Sequence, residues 1–271
     1  MDNANNEFSV KDINKMFSIS PKKAEYYEKN SIITTMRNSK NNYRFFTLHN
    51  ICEITRAKMY RALGISIKET SNIIKEADLK KIGDVFESRI SKLEEQIKYQ
   101  TLILEILKSR SNRIIEILDG QLNKFEIISR PPIHYSLINI KEYYPDKIVS
   151  KLGRWREAPA FSEACISYAH NKETDDYDIS VGLCMDHHFY EEIINSKTPD
   201  DLVLEADHVL YTVMLVNEDD VFNPSIIEPI LKYAESKGIS LKSEIFCRTF
   251  LVLKGEKDHH NCYFEFFAQI I

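Results

Sequence analysis

The residues between Gly83 and Gly120 carry the pattern of one long helix. Asp84 and Glu87 have the spacing of a capping pair, which predicts that the helix begins at Asp84 and ends near Leu118. Its apolar residues are separated mostly by alternating steps of three and four, which is a heptad seam with polar interruptions at Gln100 and Ser111. The seam residues are Phe86, Ile90, Leu93, Ile97, Leu104, Leu107, Ile114 and Leu118.

An apolar seam is unfavourable in water, so another surface must pack against it. A small domain is too short to cover a stripe of this length by itself. The helix either packs on a domain of its own chain or forms an antiparallel coiled coil with a second copy. The second interpretation is favoured, and it predicts a homodimer.

Upstream of the long helix, residues 8–30 carry two helix-start signals. Ser9 with Asp12 has the spacing of a capping box, and Ser20 before Pro21 places a capping side chain ahead of a proline. Two helices joined by so short a turn form a helix-turn-helix, whose second helix enters the major groove of DNA. The second helix is expected to end near Asn30.

The next residues predict a β-hairpin of the kind called a wing. Residues 32–35 are expected to form its first strand, residues 38–42 its turn and residues 43–46 its return strand. Helices are then expected at residues 47–63, with Leu48, Ile51, Ile54 and Met59 on the buried side, and from Ser66 through Ile74. Gly64 should end the first of them.

Residues 8–69 resemble the MerR family of transcription regulators. The resemblance rests on Tyr26-Tyr27-Glu28, Ile32-Ile33, Arg37, Tyr43-Arg44-Phe45-Phe46 and the segment Leu63-Gly64-Ile65-Ser66-Ile67-Lys68-Glu69. It implies a winged helix-turn-helix that binds double-stranded promoter DNA, works with RNA polymerase and dimerises. The residues expected at the DNA are Ser20, Lys22, Lys23, Tyr26, Tyr27, Arg37, Lys40, Tyr43 and Arg44.

One position departs from the family pattern. Glu25 stands where the family usually has arginine before the tyrosine pair, and an acid there should repel phosphate unless Lys22 and Lys23 supply the charge. The simpler alternative is a small helical domain with a solvated lysine face.

From Ile127 onward, the pattern changes to strands and short helices in the order β-α-β-β, repeated once. Antiparallel strands with one helix in each repeat predict an α+β domain. The first repeat has strands at 133–140, 164–169 and 177–185 with a helix at 145–152. A polar loop at 186–201 separates it from the second, which has strands at 209–216, 244–253 and 262–271 with a helix at 224–237.

This half resembles the GyrI-like effector-binding domain of BmrR-like multidrug sensors, through Cys165-Ile166-Ser167-Tyr168, Tyr177 to Gly182, Ala206 to Val216 and Phe264-Glu265-Phe266-Phe267. The resemblance implies a small-molecule effector, either a lipophilic cation or an aromatic compound. The residues expected to bind it are Tyr143, Trp155, Tyr168, Tyr211, Phe250, Glu265 and Phe267.

Within that set, Glu265 is the sharpest candidate, because strand alternation turns it away from Phe264 and Phe266. In the family, a terminal-strand glutamate faces the drug. The alternative is a solvated strand face. The family's second glutamate has no counterpart near Phe250, so the ligand is either less cationic or uses Glu244.

Composition excludes several other classes of protein. No apolar run reaches the ~18 residues of a membrane span. Five cysteines without a CxxC pair argue for reduced thiols in the cytoplasm. The chain has a formal net charge of −5, but a DNA-binding protein needs only a local basic patch. No metal site, cofactor or enzyme motif is expected.

The sequence therefore predicts a DNA-binding unit at 1–81, a dimerisation helix at 82–120 and an effector unit at 121–271. The expected function is a ligand-responsive transcription regulator, and the family resemblance implies that it bends and untwists promoter DNA with an overlong spacer when its ligand binds. The alternatives are a ligand-sequestering or hydrolytic protein with a reduced DNA-binding role, and an antagonist of a topoisomerase.

Overall fold

The structure is a computed structural model that describes residues 7–39, 42–75, 78–142, 144–194, 200–205, 208–255 and 259–271. The chain divides into two compact units, the first ending at Tyr99 and the second beginning at Gln100. Within the described ranges, no helix is both long enough and apolar enough to cross a bilayer.

The first unit combines a short antiparallel sheet in the order β1-β3-β2 with helices around one apolar core. Phe8 pairs with Phe46 and Met36 with Phe45 in that sheet. Its strands are β1 (Phe8–Ser9), β2 (Met36–Arg37) and β3 (Arg44–Phe46). Its helices are α1 (Val10–Phe17), α2 (Pro21–Lys29), α3 (Leu48–Ala62), α4 (Ile67–Lys75) and the start of α5 (Leu79–Glu116).

The predicted starts of α1, α2 and α4 are confirmed. The Ser9 side chain accepts from the Asp12 backbone N–H, and the Asp12 side chain accepts from the Ser9 backbone in return. Ser20 caps α2 ahead of Pro21. Ser66 and Glu69 exchange the same pair of bonds at the start of α4.

The predicted strand at residues 32–35 is wrong, and the strand of the wing is Met36–Arg37. Ser31 takes the left-handed conformation with φ of 54°. Its N–H donates to the carbonyl of Glu28, and the N–H of Ile32 donates to that of Tyr27, both at 2.9 Å. These two bonds form a Schellman motif that closes α2, so the backbone at Ile32 completes a helix cap, and its side chain is buried in the core.

Two of the four side chains predicted on the buried face of α3, Leu48 and Met59, are exposed. Ile54 is buried, and so is the polar Asn50. The amide Nδ2 of Asn50 donates to the carbonyl of Thr34 at 3.1 Å, which allows this side chain to be buried without losing its hydrogen bonds. Gly64, with φ of 80°, closes α3 through another Schellman motif.

The long helix α5 begins at Leu79, five positions before the predicted Asp84. The cause is Asp78, whose carboxylate accepts from the Lys80 N–H at 3.0 Å and whose carbonyl accepts from the Ile82 N–H. Gly83, expected to precede the helix, lies inside it. The helix passes at Glu116 into a π-helical turn, Ile117–Gln121, in which Gly120 has φ of 84°.

The seam of α5 is exposed along its whole length, from Phe86 to Leu118. Within the second unit a different stripe of the helix packs inward, through buried Leu102 and partly buried Ile103 and Ile106. The part of α5 that lies in the second unit thus packs on that unit with one face. The seam lies on a different face and is exposed to solvent.

The second unit contains eight described strands: β4 (Glu126–Ser129), β5 (Ile133–Asn139), β6 (Glu163–Asn171), β7 (Asp176–Asp186), β8 (Leu202–Leu204), β9 (His208–Asn217), β10 (Leu241–Lys254) and β11 (His260–Ile270). Its other helices are α6 (Pro145–Arg156), α7 (His187–Phe189) and α8 (Glu228–Ser236). Short 3₁₀ or π segments lie at Ile140–Glu142, Tyr190–Ile194, Glu218–Asp220 and Pro224–Ile227.

These strands form one antiparallel sheet in the order β4-β9-β11-β10-β6-β7-β5-β8. The two predicted β-α-β-β repeats are confirmed as β5-α6-β6-β7 and β9-α8-β10-β11, and they meet where β10 pairs with β6. The α+β fold class is therefore confirmed. One face of the sheet packs with α8 through Tyr168, Phe264 and Phe266, while the other carries Tyr211 and Phe267.

Candidate ligand and DNA-contact sites

Glu265 lies in the middle of the terminal strand β11 and is only 2% exposed. Phe264 and Phe266 point into the core beneath α8, and Glu265 points to the other face, as the alternation predicted. The alternative of a solvated strand face is therefore wrong. A carboxylate this deeply buried needs charged partners.

Two arginines and a tyrosine supply those partners. Arg248 lies opposite Glu265 in the strand register, and its Nε donates to Oε2 at 2.6 Å. Arg113 of α5 approaches Oε1 at 2.9 Å, and the Tyr211 hydroxyl donates to the same oxygen at 2.9 Å. Burial alone would raise the pKa of Glu265, but Arg248 and Arg113 outweigh it, so the pKa lies below its ordinary value.

The charge network extends beyond these three residues. Asp186 Oδ1 accepts from Arg248 at 2.9 Å and from Arg130 at 3.0 Å. Glu163 contacts Arg110 at 3.1 Å and Arg248 at 3.2 Å. Burial raises the pKa of Glu163 despite Arg248. Burial, reinforced by Arg248, lowers the pKa of Arg130 to about 10.

These charges surround a narrow cavity of about 40 Å³, lined also by Phe161, Phe189 and Phe250. That volume accommodates a few water molecules at most, whereas pockets for drug-sized ligands measure roughly 300–1,000 Å³. The aromatic walls and the carboxylate are in place, and the space between them is filled by arginine side chains.

Four of the expected effector residues share this face of the sheet. Tyr211 and Phe267 have ring centroids 5.4 Å apart, and Phe250 lines the cavity with Glu265.

The remaining expected effector residues lie elsewhere. Tyr168 is on the opposite face, where its hydroxyl donates to the Val221 carbonyl. Trp155 lies in a separate cluster and donates to Asp201 at 3.3 Å. Tyr143 is outside the described residues. Glu244 accepts from the Ser167 hydroxyl.

The arginines of this site were not predicted as ligand-site residues. Arg113 lies beside the seam residue Ile114, and nothing local to it signals a contact with the terminal strand. In the sequence, Arg248 marks only the place where the family's second glutamate is missing. Its register opposite Glu265 would have been the signal, had the strand pairing been known.

A larger groove of about 1140 Å³ opens on the other face of the sheet. Its lining is mainly apolar and includes Leu152, Ile166, Val181, Val221 and Phe264. Volume and lining suit an apolar ligand, although none of these residues was predicted to bind one.

The expected DNA-contact residues divide into exposed and structural ones. Lys22, Lys23 and Arg37 are exposed, and so are Tyr26 (48%) and Tyr43 (74%). Ser20 caps α2 by accepting from the Lys23 N–H at 3.2 Å. Tyr27 is only 3% exposed and belongs to the core. Arg44 donates to Glu28 at 2.6 Å. Lys40 lies outside the described residues.

Glu25, the departure from the family pattern, is paired with Lys29 one helical turn later at 3.0 Å. The side-chain hydrogen bond and the charge of Lys29 lower the pKa of Glu25, with smaller contributions from Arg44 and Arg37. This carboxylate is therefore accompanied by cations and does not stand alone at the face of α2.

Comparison with solved structures gives distant matches. No protein-family model and no curated protein matches this chain. A cryo-EM structure of the EcmrR–DNA complex in EcmrR-RPo matches over 96% of this chain and 98% of that one, with 17% identity and a TM-score of 0.36. A crystal structure of the EcmrR C-terminal domain matches over 55% of this chain and 98% of that one, with 16% identity and a TM-score of 0.34.

Proposed function

We propose that this protein is a ligand-responsive, DNA-binding transcription regulator that acts as a homodimer. The observation that carries the proposal is the surface of the first unit, where a capped helix α2 presents Lys22, Lys23 and Tyr26 beside a wing with Arg37. Exposed lysine and arginine contact phosphates, and the second helix of such a motif enters the major groove. The pairing of Glu25 with Lys29 reduces the repulsion that favoured a protein without DNA binding.

The exposed seam of α5 supports the dimer. An antiparallel pairing of two such helices would cover the seam side chains from Phe86 to Leu118. Removing this apolar surface from water would stabilise the dimer. Two copies would also place two recognition helices on two half-sites.

Sedimentation velocity tests the dimer with a matched pair of variants. Ile97→Asp puts a charge on the seam and should convert the dimer to monomers. Gln96→Asp, at an exposed neighbouring position off the seam, should leave it intact. Equal dissociation by both variants, or by neither, contradicts a coiled coil along this seam.

The ligand response would run through Arg113. This residue ties α5 to Glu265 at 2.9 Å, and α5 continues without a break toward Leu79. A flat aromatic or amphipathic cation could take the place of the guanidinium against Glu265, with Phe161 and Phe250 as walls. Release of Arg113 would then alter the packing of α5. A ligand shifts such an equilibrium only through its different affinity for the two states.

In the regulator this release would favour a dimer conformation that bends and untwists promoter DNA with an overlong spacer, so that RNA polymerase engages both promoter elements. Part of the binding free energy is spent on deforming the DNA. Ligand and DNA affinities would therefore be linked, each changing the other by the same factor.

A gel shift over a range of salt concentrations tests the DNA-binding proposal. Affinity for duplex promoter DNA should fall steeply with salt, and Lys22→Ala with Lys23→Ala should reduce the slope by about one for each phosphate that is no longer neutralised. Lys237→Ala, in the second unit, is the control and should leave the slope unchanged. Salt-independent binding, or none, overturns the proposal and favours a ligand-sequestering protein.

A thermal-shift screen of the full chain tests the ligand site. Ligands that bind only the native state raise the melting temperature by mass action. A shift with lipophilic cations that is lost in Glu265→Gln supports the site at Glu265. A shift that survives in Glu265→Gln excludes that site and favours the apolar groove.

A further inference from the structure

A cluster of two histidines and a glutamate lies apart from the cavity at Glu265. His134 is on β5, His187 begins α7, and Glu191 follows one helical turn later. One nitrogen from each imidazole and one carboxylate oxygen all lie within 4.8 Å of one another. From this geometry we propose a site for a late first-row divalent ion, of the chemistry of Zn²⁺, Co²⁺ or Ni²⁺.

The ligand set suits that class of ion. Neutral imidazole is the common protein ligand for zinc, cobalt and nickel, and two histidines with one glutamate form a known three-ligand zinc set with an open position. Magnesium and calcium prefer sites built from oxygen atoms, so they fit this cluster poorly.

The distances also fit after a small adjustment. His134 Nε2 and His187 Nδ1 are 2.8 Å apart. Two metal–nitrogen bonds of about 2.0–2.1 Å would span that separation at an angle of roughly 90°, and a slight rotation of one ring would open it toward a tetrahedral angle. Glu191 Oε1 lies 4.0 Å from His187 Nδ1 and would close the third side.

The fold holds one ligand still and leaves the others accessible. His134 is 5% exposed, and its ring is stacked on Tyr190 with centroids 3.9 Å apart. The His187 backbone N–H donates to the Pro132 carbonyl at 3.1 Å, which anchors the start of α7 beside β5. The side chains of His187 and Glu191 are half-exposed, so an ion could enter from solvent and these two groups could rotate onto it.

A cobalt titration of the full chain, purified without a histidine tag, tests the proposal. Co²⁺ bound to nitrogen and oxygen ligands gives visible d–d absorption without the near-ultraviolet thiolate band that cysteine ligation would add. One equivalent should bind, and Zn²⁺ should displace it and raise the melting temperature.

Three exposed-residue variants decide the assignment. His187→Gln and Glu191→Gln should each weaken Co²⁺ binding on the order of tenfold or more, because each removes one of three ligands. His188→Gln is the matched control, since this neighbouring histidine points to Glu105 at 3.2 Å; it should bind as the wild type does. Because His187, Glu191 and His188 are all half-exposed or more, these variants should fold.

Three results would overturn the site. The first is no saturable Co²⁺ absorption, which leaves the two imidazoles as a simple hydrogen-bonded pair. The second is a thiolate band, which assigns the ion to cysteines. The third is equal binding by His187→Gln and His188→Gln. None of these outcomes depends on whether the protein binds DNA.

Discussion

Arg248 stands directly across the β10–β11 ladder from Glu265 and donates to it at 2.6 Å. The same guanidinium reaches Asp186 at 2.9 Å and Glu163 at 3.2 Å. One largely buried cation thus contacts three carboxylates, and each of them has a second arginine as partner: Arg113, Arg130 or Arg110. We therefore expect the ion pairs of this site to be energetically coupled.

Arg248→Met should destabilise the protein by about 3–5 kcal/mol, because it leaves buried carboxylates short of compensation. The measurement is the free energy of unfolding from urea denaturation. In the double variant with Glu265→Leu, the loss should be clearly smaller than the sum of the two single losses, since the uncompensated charge is gone. Strictly additive losses would show that Arg248 and Glu265 are not coupled.

Acid should destabilise the wild type partly through Glu265. Because the pKa of Glu265 is lowered in the folded state, its stabilising contribution is complete above the ordinary glutamate pKa of about 4.3 and is lost as the pH falls below it. Glu265→Gln should therefore show a shallower loss of unfolding free energy between about pH 5 and pH 3.

Glu163 should change the free energy of unfolding with pH in the opposite direction to Glu265. Its pKa is raised by burial, so the folded state takes up a proton earlier than the unfolded chain, and this gain offsets part of the acid loss. Glu163→Gln should make the decline with falling pH steeper than in the wild type. Parallel declines in Glu265→Gln and Glu163→Gln would contradict both assignments.

The tyrosine pair of α2 should separate stability from DNA binding. Tyr27 is buried in the first unit, so Tyr27→Ala should cost about 3–5 kcal/mol, by analogy with other large aromatic truncations. Tyr26 is half-exposed, so Tyr26→Ala should change stability little and weaken DNA binding in the gel shift. Equal thermal destabilisation by both variants would contradict this division.

Two glycines should respond to alanine with opposite signs. Gly64 has φ of 80°, and a Cβ there would lie 2.4 Å from the Arg89 guanidinium, so Gly64→Ala should destabilise by about 1 kcal/mol or more. Gly83 is inside α5 with nothing within 4 Å of the Cβ position, so Gly83→Ala should stabilise by up to about 1 kcal/mol. Urea denaturation of the two variants checks the signs.

Structural features that depend on residues close together in the sequence could be predicted. Ser9 with Asp12 and Ser20 with Pro21 mark helix starts through bonds that span three residues, and alternation placed Glu265 on its face. Ile32 misled the prediction because its β-branched side chain suits a strand, whereas its N–H is committed to closing α2.

Contacts between distant residues could not be predicted in this way. Arg113 reaches Glu265 only because α5 packs on the sheet, and His134 meets His187 only because β5 and α7 are joined through Pro132. The long helix was predicted in kind but not in extent, since two aspartates, Asp78 and Asp84, are both possible capping residues at its start. The structure shows Asp78 in the capping role, through its bonds to the backbone of Lys80 and Ile82.

The junction of the two repeats limits how the second unit can respond to a ligand. From Glu244 to Arg248, β10 is paired without interruption to β6, so the two halves share one continuous backbone ladder. Opening a cleft between the halves would break those hydrogen bonds all at once. The two repeats are therefore expected to move as one body, so a response to ligand should come from side chains and from the helices that pack on the sheet.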